Sequence, residues 1–114
     1  MPLLRITTNK PVDQDQLPEL LKQASTDVAG MLGKPERYVM VDFVFNPHML
    51  FAGTSAALAY LELKSIGLPG ERTGEFSEAL CQLMQQQLHI PAERVYIEFS
   101  AAERHLWGWN SGTF

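Results

Sequence analysis

The stretch at residues 35–43, PERYVMVDF, indicates the fold because it recurs at residues 91–99 as PAERVYIEF. Apolar side chains alternate in both stretches, as they do in a strand that buries one face. The opening LRIT at residues 4–7 similarly matches LELK at residues 61–64. A segment with helical spacing separates the two strands of each half. The sequence therefore predicts two β-α-β repeats.

Periodicity, and the residues that break it, set the bounds of the predicted elements. Strands are expected at Pro2–Thr8, Tyr38–Phe45, Leu58–Ile66 and Val95–Phe99. Helices are expected over residues 15–32 and 74–88, where apolar residues recur at intervals of three and four. Pro18 is tolerated in a first helical turn, and Gly33 is a natural helix stop. The tail WGWNSGTF at residues 107–114 predicts a short turn or hairpin.

The predicted order β-α-β-β-α-β is typical of a ferredoxin-like α/β (α+β) fold, a four-stranded mixed sheet with two helices on one face. A length of 114 residues suits one domain, so residues 1–114 are expected to form a single unit. The uncovered sheet face would carry Tyr38, Met40 and Val44 or the opposite set. Association of several copies, sheet face inward, is the simplest way to cover it. We therefore expect an oligomer.

Composition and charge exclude several classes of protein. The chain is 46% hydrophobic and 19% charged, which suits a globular protein rather than a disordered one. Its net charge is −4 and its Lys and Arg residues are scattered, so the sequence shows no basic patch of the kind that binds nucleic acid. The single cysteine, Cys81, allows no intramolecular disulfide. No signal peptide or apolar stretch of about 20 residues is visible, so a soluble cytoplasmic protein without a membrane partner is expected.

Five short motifs in a fixed order carry a resemblance to a known family. They are an N-terminal MP before an apolar strand, GKPERYV at residues 33–39, SIG at 65–67, RVYIEF at 94–99, and GWN with a closing TF. Over essentially its whole length the chain resembles the macrophage migration inhibitory factor and D-dopachrome tautomerase family of the tautomerase superfamily. The resemblance implies a homotrimer with three active sites at subunit interfaces. It also implies keto–enol tautomerisation of phenylpyruvate-like and dopachrome-like substrates, with no metal or organic cofactor.

The same resemblance leaves a second function open. The family includes cytokine members that leave cells without a signal peptide. The alternative is therefore a released signalling trimer that binds a receptor, with a vestigial tautomerase pocket. A phenylpyruvate tautomerase assay separates the two functions.

Pro2 is the candidate general base. Moving a proton between carbon and oxygen needs a base that is neutral near pH 7. A free α-amine, with a reference pKa of about 7.7–8.0, titrates close to that range. Removal of Met1 would give Pro2 a secondary amine held rigidly by its ring. Taken alone, a proline at this position is more simply a strand-edge residue without a donor, and the resemblance favours the catalytic role.

Lys34, in the GKP turn, is the candidate group for a substrate carboxylate. A cation there would also lower the pKa of the Pro2 amine. From the sequence alone, a lysine after a helix is more simply explained by its favourable interaction with the helix dipole. The matching GKP motif favours ligand binding. The resemblance also implies that Ser65 and Ile66 form part of the pocket wall, with backbone contacts from Ile66.

Tyr96 and Glu98 lie two apart on a strand and therefore share a face. The resemblance places the tyrosine in the pocket across the interface from Pro2 of a neighbouring subunit. Macrophage migration inhibitory factor has asparagine where this chain has Glu98. Two roles of Glu98 therefore stay open: a pocket carboxylate beside Lys34, or a solvated strand residue. Near the tail, Trp107, Trp109 and Phe114 supply aromatic surface, for which a core role is the alternative. Trp107 replaces a smaller aliphatic residue of the family and would reshape the pocket.

Other candidate signals do not lead to a site. The stretch GLPGERTGE is Gly-rich but lacks the Gly-Lys-Ser/Thr ending of a phosphate loop. The three histidines show no metal-ligand spacing: His48, His89 and His105. Leu58 and Leu61 stand where the family's Cys-x-x-Cys would be, so we expect no thiol oxidoreductase activity. Cys81 lies among apolar helix residues, as a small buried hydrophobe would.

Overall fold

The computed structural model describes residues 1–114. Along the chain the elements are β1 (Leu3–Thr8), α1 (Leu17–Leu32), β2 (Met40–Phe45), β3 (Ala59–Ile66), α2 (Thr73–Leu88), β4 (Val95–Ala102), β5 (Gly108–Trp109) and β6 (Gly112–Thr113). Short 3₁₀ turns precede β2, α2, β4 and β5. The predicted element order is confirmed, and the tail forms a hairpin.

Six bounds differ from the predicted ones by one to three residues, and two of these differences have identifiable reasons. β2 begins at Met40 rather than Tyr38, because Glu36–Tyr38 form a 3₁₀ turn. In it the N–H of Tyr38 donates to the carbonyl of Pro35, and the N–H of Val39 donates to that of Glu36. β4 continues past the predicted end at Phe99 because residues 100–102 pair with residues 64–66 of β3. The first difference moves the Tyr38 side chain out of the strand.

α1 buries one stripe and ends where the sequence indicates. Leu20, Ala24 and Val28 are spaced by four residues and are fully or almost fully buried, which is the stripe expected of an amphipathic helix. Gly33 follows with a φ of 61°, a left-handed conformation that glycine adopts without steric cost, and its N–H donates to the carbonyl of Ala29. Neither α1 nor α2 has the length and apolar character needed to cross a bilayer.

The sheet has the strand order β2-β1-β3-β4. β1 runs parallel to β2, with Leu3 opposite Met40, and β3 runs parallel to β4. The two central strands, β1 and β3, are antiparallel, with Leu3 opposite Lys64. This mixed four-stranded sheet confirms the ferredoxin-like layout of two β-α-β repeats.

One face of the sheet packs against both helices to form the core. The strand residues in this core alternate along β1 and β3, and include Leu4, Ile6, Leu61 and Leu63, each with no exposed surface. The edge strands, with Val39 just before β2, contribute half-buried side chains to the same cluster: Val39, Val41, Phe43, Ile97 and Phe99. The alternation of the strands therefore decides which face is buried, and on β2 it is the face of Val41 and Phe43, although Phe45 at the strand end is 47% exposed.

The opposite face of the sheet is open and mixed in character. One ionic contact crosses from β1 to β2, with Arg5 Nε donating to Asp42 Oδ2 over 2.8 Å. A second lies along β3, where Lys64 Nζ is 3.6 Å from Glu62 Oε1. Met40 and Tyr96, on the two edge strands, keep 65% and 66% of their surface exposed. Exposed apolar side chains at both edges leave surface that a second subunit would cover.

Candidate active site

A cavity of about 320 Å³ lies where the start of β1 meets the turn before β2 and the C-terminal hairpin. We call it the aromatic cavity. The residues that line it are Met1, Pro2, Leu3, Arg37, Tyr38, Val39, Met40, Trp107, Gly108, Trp109 and Phe114. It contains no Asp or Glu side chain, so its lining is apolar, aromatic and cationic.

Pro2 is buried and held by the sheet on both sides. On the β2 side its carbonyl accepts the N–H of Met40 over 3.0 Å. On the β3 side, continuing the antiparallel register from Leu3 and Lys64 by one residue places Pro2 opposite Ser65. A residue at the start of a central strand has little freedom to move, so the ring of Pro2 has a fixed position in the cavity wall.

The electrostatics around the chain's α-amine favour its neutral form. Burial, and after it the nearby Lys34 ammonium, lowers the pKa of the Met1 α-amine below its ordinary value. Lys34 is half-buried and its N–H donates to the carbonyl of Ala29 over 3.0 Å, which fixes the turn after α1. No carboxylate forms an ion pair with Lys34. Its charge is therefore free to act on the amine or on an anionic ligand.

The predicted residues Trp107 and Phe114 both line the aromatic cavity. The N–H of Phe114 donates to the carbonyl of Trp107 over 3.2 Å, closing the hairpin. Trp109 stacks on Phe114 with ring centres 5.2 Å apart, and Tyr38 meets both rings edge-on at 5.5 and 5.7 Å. These offset and edge-to-face arrangements are the favoured geometries of aromatic rings and give the cavity a rigid wall.

Tyr38 and Arg37 are cavity residues that the sequence reasoning did not select. Tyr38 was expected on the open sheet face, and the 3₁₀ turn instead directs it to the C-terminal hairpin. The Arg37 guanidinium lies 4.8 Å from the centre of the Tyr38 ring. Their position three and four residues after Lys34, inside the same GKPERYV motif, was the feature of the sequence that could have indicated them.

Ser65 and Ile66 lie at the end of β3, beside the start of β1. Ser65 is fully buried and its hydroxyl donates to the carbonyl of Ile66 over 3.4 Å, while Ile66 is 7% exposed. Neither is among the residues that line the aromatic cavity of one chain. Within the monomer they form the layer next to Pro2.

Tyr96 and Glu98 stand on β4, two strands away from β1, on the open face of the sheet. Tyr96 packs against Phe51 with ring centres 4.6 Å apart. The Glu98 carboxylate accepts the hydroxyl of Tyr60 over 2.7 Å. One chain therefore does not bring either residue to Pro2 or Lys34, and only a neighbouring subunit could do so.

Arg94 organises the loop beside Tyr96. Its guanidinium donates to the carbonyls of Phe51, Thr54 and Ala56 over 2.7, 3.2 and 2.9 Å. The same group lies 5.0 Å from the centre of the Phe51 ring. We call Arg94 with these three carbonyls the clamp. The sequence does not predict it, because an arginine just before a strand gives no indication of which carbonyls its side chain will contact.

The three other cavities are larger than the aromatic cavity, but their side chains offer fewer groups for catalysis or anion binding. One of about 430 Å³ between the helices is lined by polar residues around Asp27, and another of about 470 Å³ contains Cys81. Burial raises the pKa of the Cys81 thiol, which disfavours a reactive thiolate. The third, of about 430 Å³, we call the apolar groove; it is lined by Met49, Leu50, Phe51, Ala52, Leu58, Ala59, Tyr60 and Tyr96. No cluster of three or more His, Cys, Asp or Glu side chains suited to a metal ion is present.

Comparison with known proteins identifies the family. The family model described as Macrophage migration inhibitory factor (MIF) matches residues 1–114. Macrophage migration inhibitory factor of Rattus norvegicus is 36% identical over 116 residues, covering 100% of this chain and 99% of the relative. A homolog from Brugia malayi is 39% identical over 116 residues with the same coverage. The crystal structure of a homologue from Prochlorococcus marinus has a TM-score of 0.91 and 43% identity and covers 98% of both chains. As its motifs predicted, the chain belongs to the macrophage migration inhibitory factor family.

Proposed function

We propose that this protein is a keto–enol tautomerase that acts on phenylpyruvate-like and dopachrome-like substrates, with the Pro2 amine as its general base. The observation that carries the proposal is the position of Pro2: buried, in the wall of an aromatic cavity, next to an amine whose pKa is lowered by burial and by Lys34. Membership of a family of tautomerase-type isomerases supports it.

Removal of Met1 is part of the proposed mechanism. While Met1 is present, the Pro2 nitrogen belongs to an amide and has no basicity. Met1 also lines the aromatic cavity, so its removal would both free the amine and open space beside it. The new amine would stand one residue from the Met1 α-amine, whose pKa burial and Lys34 lower, so we expect the same two causes to favour its neutral form.

The reaction needs one base and one anion site. The neutral Pro2 amine takes a proton from the carbon next to the ketone, the C–H electron pair forms the C=C bond, and the C=O π pair moves to oxygen. The oxygen then receives the proton from the Pro2 ammonium, which gives the enol and regenerates the base. Reversal of these steps returns the ketone. Lys34 holds the substrate carboxylate, and the rings of Tyr38, Trp107 and Phe114 accept the aromatic part. Backbone groups around Ile66 and the hydroxyl of Tyr96 would stabilise the negative charge of the developing enolate.

A homotrimer is part of the same proposal, because within one chain Tyr96 and Glu98 lie two strands away from β1 and only a neighbouring subunit could bring them to Pro2. The apolar groove next to Tyr96 supports this assembly, since eight apolar or aromatic residues line it and Leu50 at its rim is 72% exposed. Such surface is unusual on a monomer and typical of an interface.

The test compares phenylpyruvate turnover by Met1-free and Met1-retaining protein, each verified by mass spectrometry. We expect the retained form to be inactive. Pro2→Gly in the Met1-free form keeps an amine but loses the ring, so its kcat/KM should fall steeply while the fold persists. Equal activity of the two forms would remove Pro2 from the mechanism and favour the receptor-binding alternative.

A further inference from the structure

Arg37 is the only charged side chain among the residues that line the aromatic cavity. It belongs to the 3₁₀ turn at Glu36–Tyr38, three residues after Lys34. Its guanidinium lies over the Tyr38 ring, 4.8 Å from the ring centre, and Tyr38 is itself part of the aromatic wall. Arg37 therefore adds a cation to the side of the cavity where an aromatic ring would rest.

The charge of Arg37 is not neutralised within the chain. The guanidinium groups of Arg5 and Arg72 each have a carboxylate partner, in Asp42 and Glu75. Arg94 is bound by backbone carbonyls. Arg37 takes part in no ion pair or side-chain hydrogen bond, and no carboxylate lines the cavity beside it.

Two cations lie in different positions at this site, since Arg37 lines the aromatic cavity whereas Lys34 lies outside its lining and lowers the pKa of the Met1 α-amine. Lys34 acts on the α-amine, where the reacting carbon and its keto acid group would lie. Arg37 stands on the Tyr38 wall, and its planar group presents paired donors that match a carboxylate, sulfate or phosphate. A phenylpyruvate has one carboxylate and would use only the first of them.

We propose that Arg37 is a specificity residue, and that the site prefers aromatic keto acids with a second anionic group on or near the ring. The keto acid carboxylate binds Lys34, the ring lies against Tyr38 and its neighbours, and the second anion pairs with Arg37. The substrate-class assignment rests on the proposed tautomerase function, whereas the binding preference does not.

The kinetic test uses three probes that differ only at the ring para position: phenylpyruvate, 4-carboxyphenylpyruvate and the neutral isostere 4-carbamoylphenylpyruvate. For the Met1-free protein we expect KM for the carboxylated probe to be about fivefold lower than for the carbamoyl probe, the size of a partly exposed ion pair. Arg37→Gln should abolish that difference, and Arg37→Lys should keep part of it. Raising the ionic strength should reduce it, because the pair is open to solvent.

Arg72→Gln is the matched control, because Arg72 also lies over an aromatic ring, 5.1 Å from the centre of Phe76, but outside the cavity. It should leave the ratio between the probes unchanged. A ratio near one in the wild type, or one that survives Arg37→Gln, would overturn the proposal.

A second readout separates this proposal from the tautomerase itself. Benzoylformate and 4-carboxybenzoylformate have no hydrogen on the carbon next to the ketone, so they bind without reacting. Calorimetry should show tighter binding of the dicarboxylate, with the advantage lost in Arg37→Gln. If no probe is turned over but this preference holds, the tautomerase proposal fails and the anion site stands. If turnover is normal and the preference is absent, the reverse is true.

Discussion

Tyr60 donates its hydroxyl to Oε2 of Glu98 over 2.7 Å, linking the two strands β3 and β4 on the open face of the sheet. The residue opposite Glu98 in the strand register is Glu62, a second carboxylate. The Tyr60 hydroxyl thus gives Glu98 a partner on a face where its nearest cross-strand neighbour has the same charge. In the proposed trimer, this hydrogen bond would decide how free the Glu98 carboxylate is to act in a neighbouring site.

The first prediction concerns the titration of Tyr60. The hydrogen bond to the Glu98 carboxylate, followed by burial and the negative charges of Glu98 and Glu62, raises the pKa of Tyr60 to about 12. Glu98→Gln should bring this pKa back towards the ordinary value of about 10, because the charged acceptor is gone. Ultraviolet titration of tyrosinate should show one additional ionised tyrosine near pH 11 in the variant. Identical titration curves would mean that the hydrogen bond does not persist in solution.

The same shift has a consequence for stability. Because the folded-state pKa of Tyr60 is raised above its unfolded value, its contribution to the free energy of unfolding is present below pH 10 or so and is lost as the pH rises towards 12. Glu98→Gln should lack this part of the alkaline decline. Urea unfolding at a series of alkaline pH values, with wild type and variant side by side, measures it.

The second prediction concerns Glu98 in catalysis. If a neighbouring subunit brings this carboxylate beside Lys34, it repels the substrate carboxylate in the ground state. Glu98→Asn should then lower KM for phenylpyruvate with a smaller change in kcat. Glu62→Gln, which removes the opposite carboxylate on β3, is the control and should have the smaller effect on KM. Unchanged kinetics in Glu98→Asn would place Glu98 outside the pocket, and a collapse of kcat would make it a proton-transfer residue.

The third prediction concerns the pH dependence of turnover. In Met1-free protein, kcat/KM should rise with pH through one ionisation below about 8, because burial and Lys34, which lower the pKa of the Met1 α-amine, should act in the same direction on the Pro2 amine one residue away. Lys34→Gln should move that ionisation to higher pH, but only in part, since burial is the larger cause and remains. KM should rise as well, because the carboxylate loses its cation. Lys22→Gln, on the exposed surface of α1, should leave the profile in place; an unmoved profile in Lys34→Gln would contradict the assignment.

The fourth prediction concerns Arg94 and the loop it holds. Arg94→Met keeps much of the side-chain volume but leaves the carbonyls of Phe51, Thr54 and Ala56 without their charged donor. Loss of such hydrogen bonds should lower the free energy of unfolding by about 1–3 kcal/mol. Chemical denaturation measures this change, and Arg104→Met is the control, because Arg104 is exposed and forms no ion pair or side-chain hydrogen bond. Equal stability of Arg94→Met and wild type would show that the clamp does not contribute.

Much of the fold could be predicted because the chain repeats its own pattern. The alternation in residues 35–43 and 91–99 gives the inward faces of β2 and β4, and the helical stripes identify α1 and α2. The predictions that were wrong concern strand ends, where two local structures compete for the same residues. The sequence pattern continues through Tyr38, yet Glu36–Tyr38 closes as a 3₁₀ turn, and the SAA end of β4 is a strand only because β3 offers it a partner.

Only part of the candidate site could be predicted from the sequence, because its residues lie far apart along the chain. Pro2, Trp107 and Phe114 come together from the two ends of the chain, and the family motifs, rather than periodicity, indicated them. Arg37 was missed because a sequence does not reveal which way an exposed charged side chain faces from a turn. The faces of Tyr96 and Glu98 were predicted correctly, but their distance from Pro2 within one chain follows from the strand order.

The last prediction concerns assembly, on which the proposed shared site would depend. Light scattering should report a particle of three times 12.8 kDa at micromolar concentration. Leu50→Glu places a charge at the rim of the apolar groove, on a side chain that is 72% exposed in the monomer, so the fold should survive while association fails. Because Tyr96 would then no longer reach Pro2 of a neighbour, tautomerase activity should fall together with the trimer. Gln82→Glu adds the same charge on the exposed surface of α2 and should change neither property. A wild-type monomer, or a Leu50→Glu monomer with full activity, would show that each chain carries a complete site.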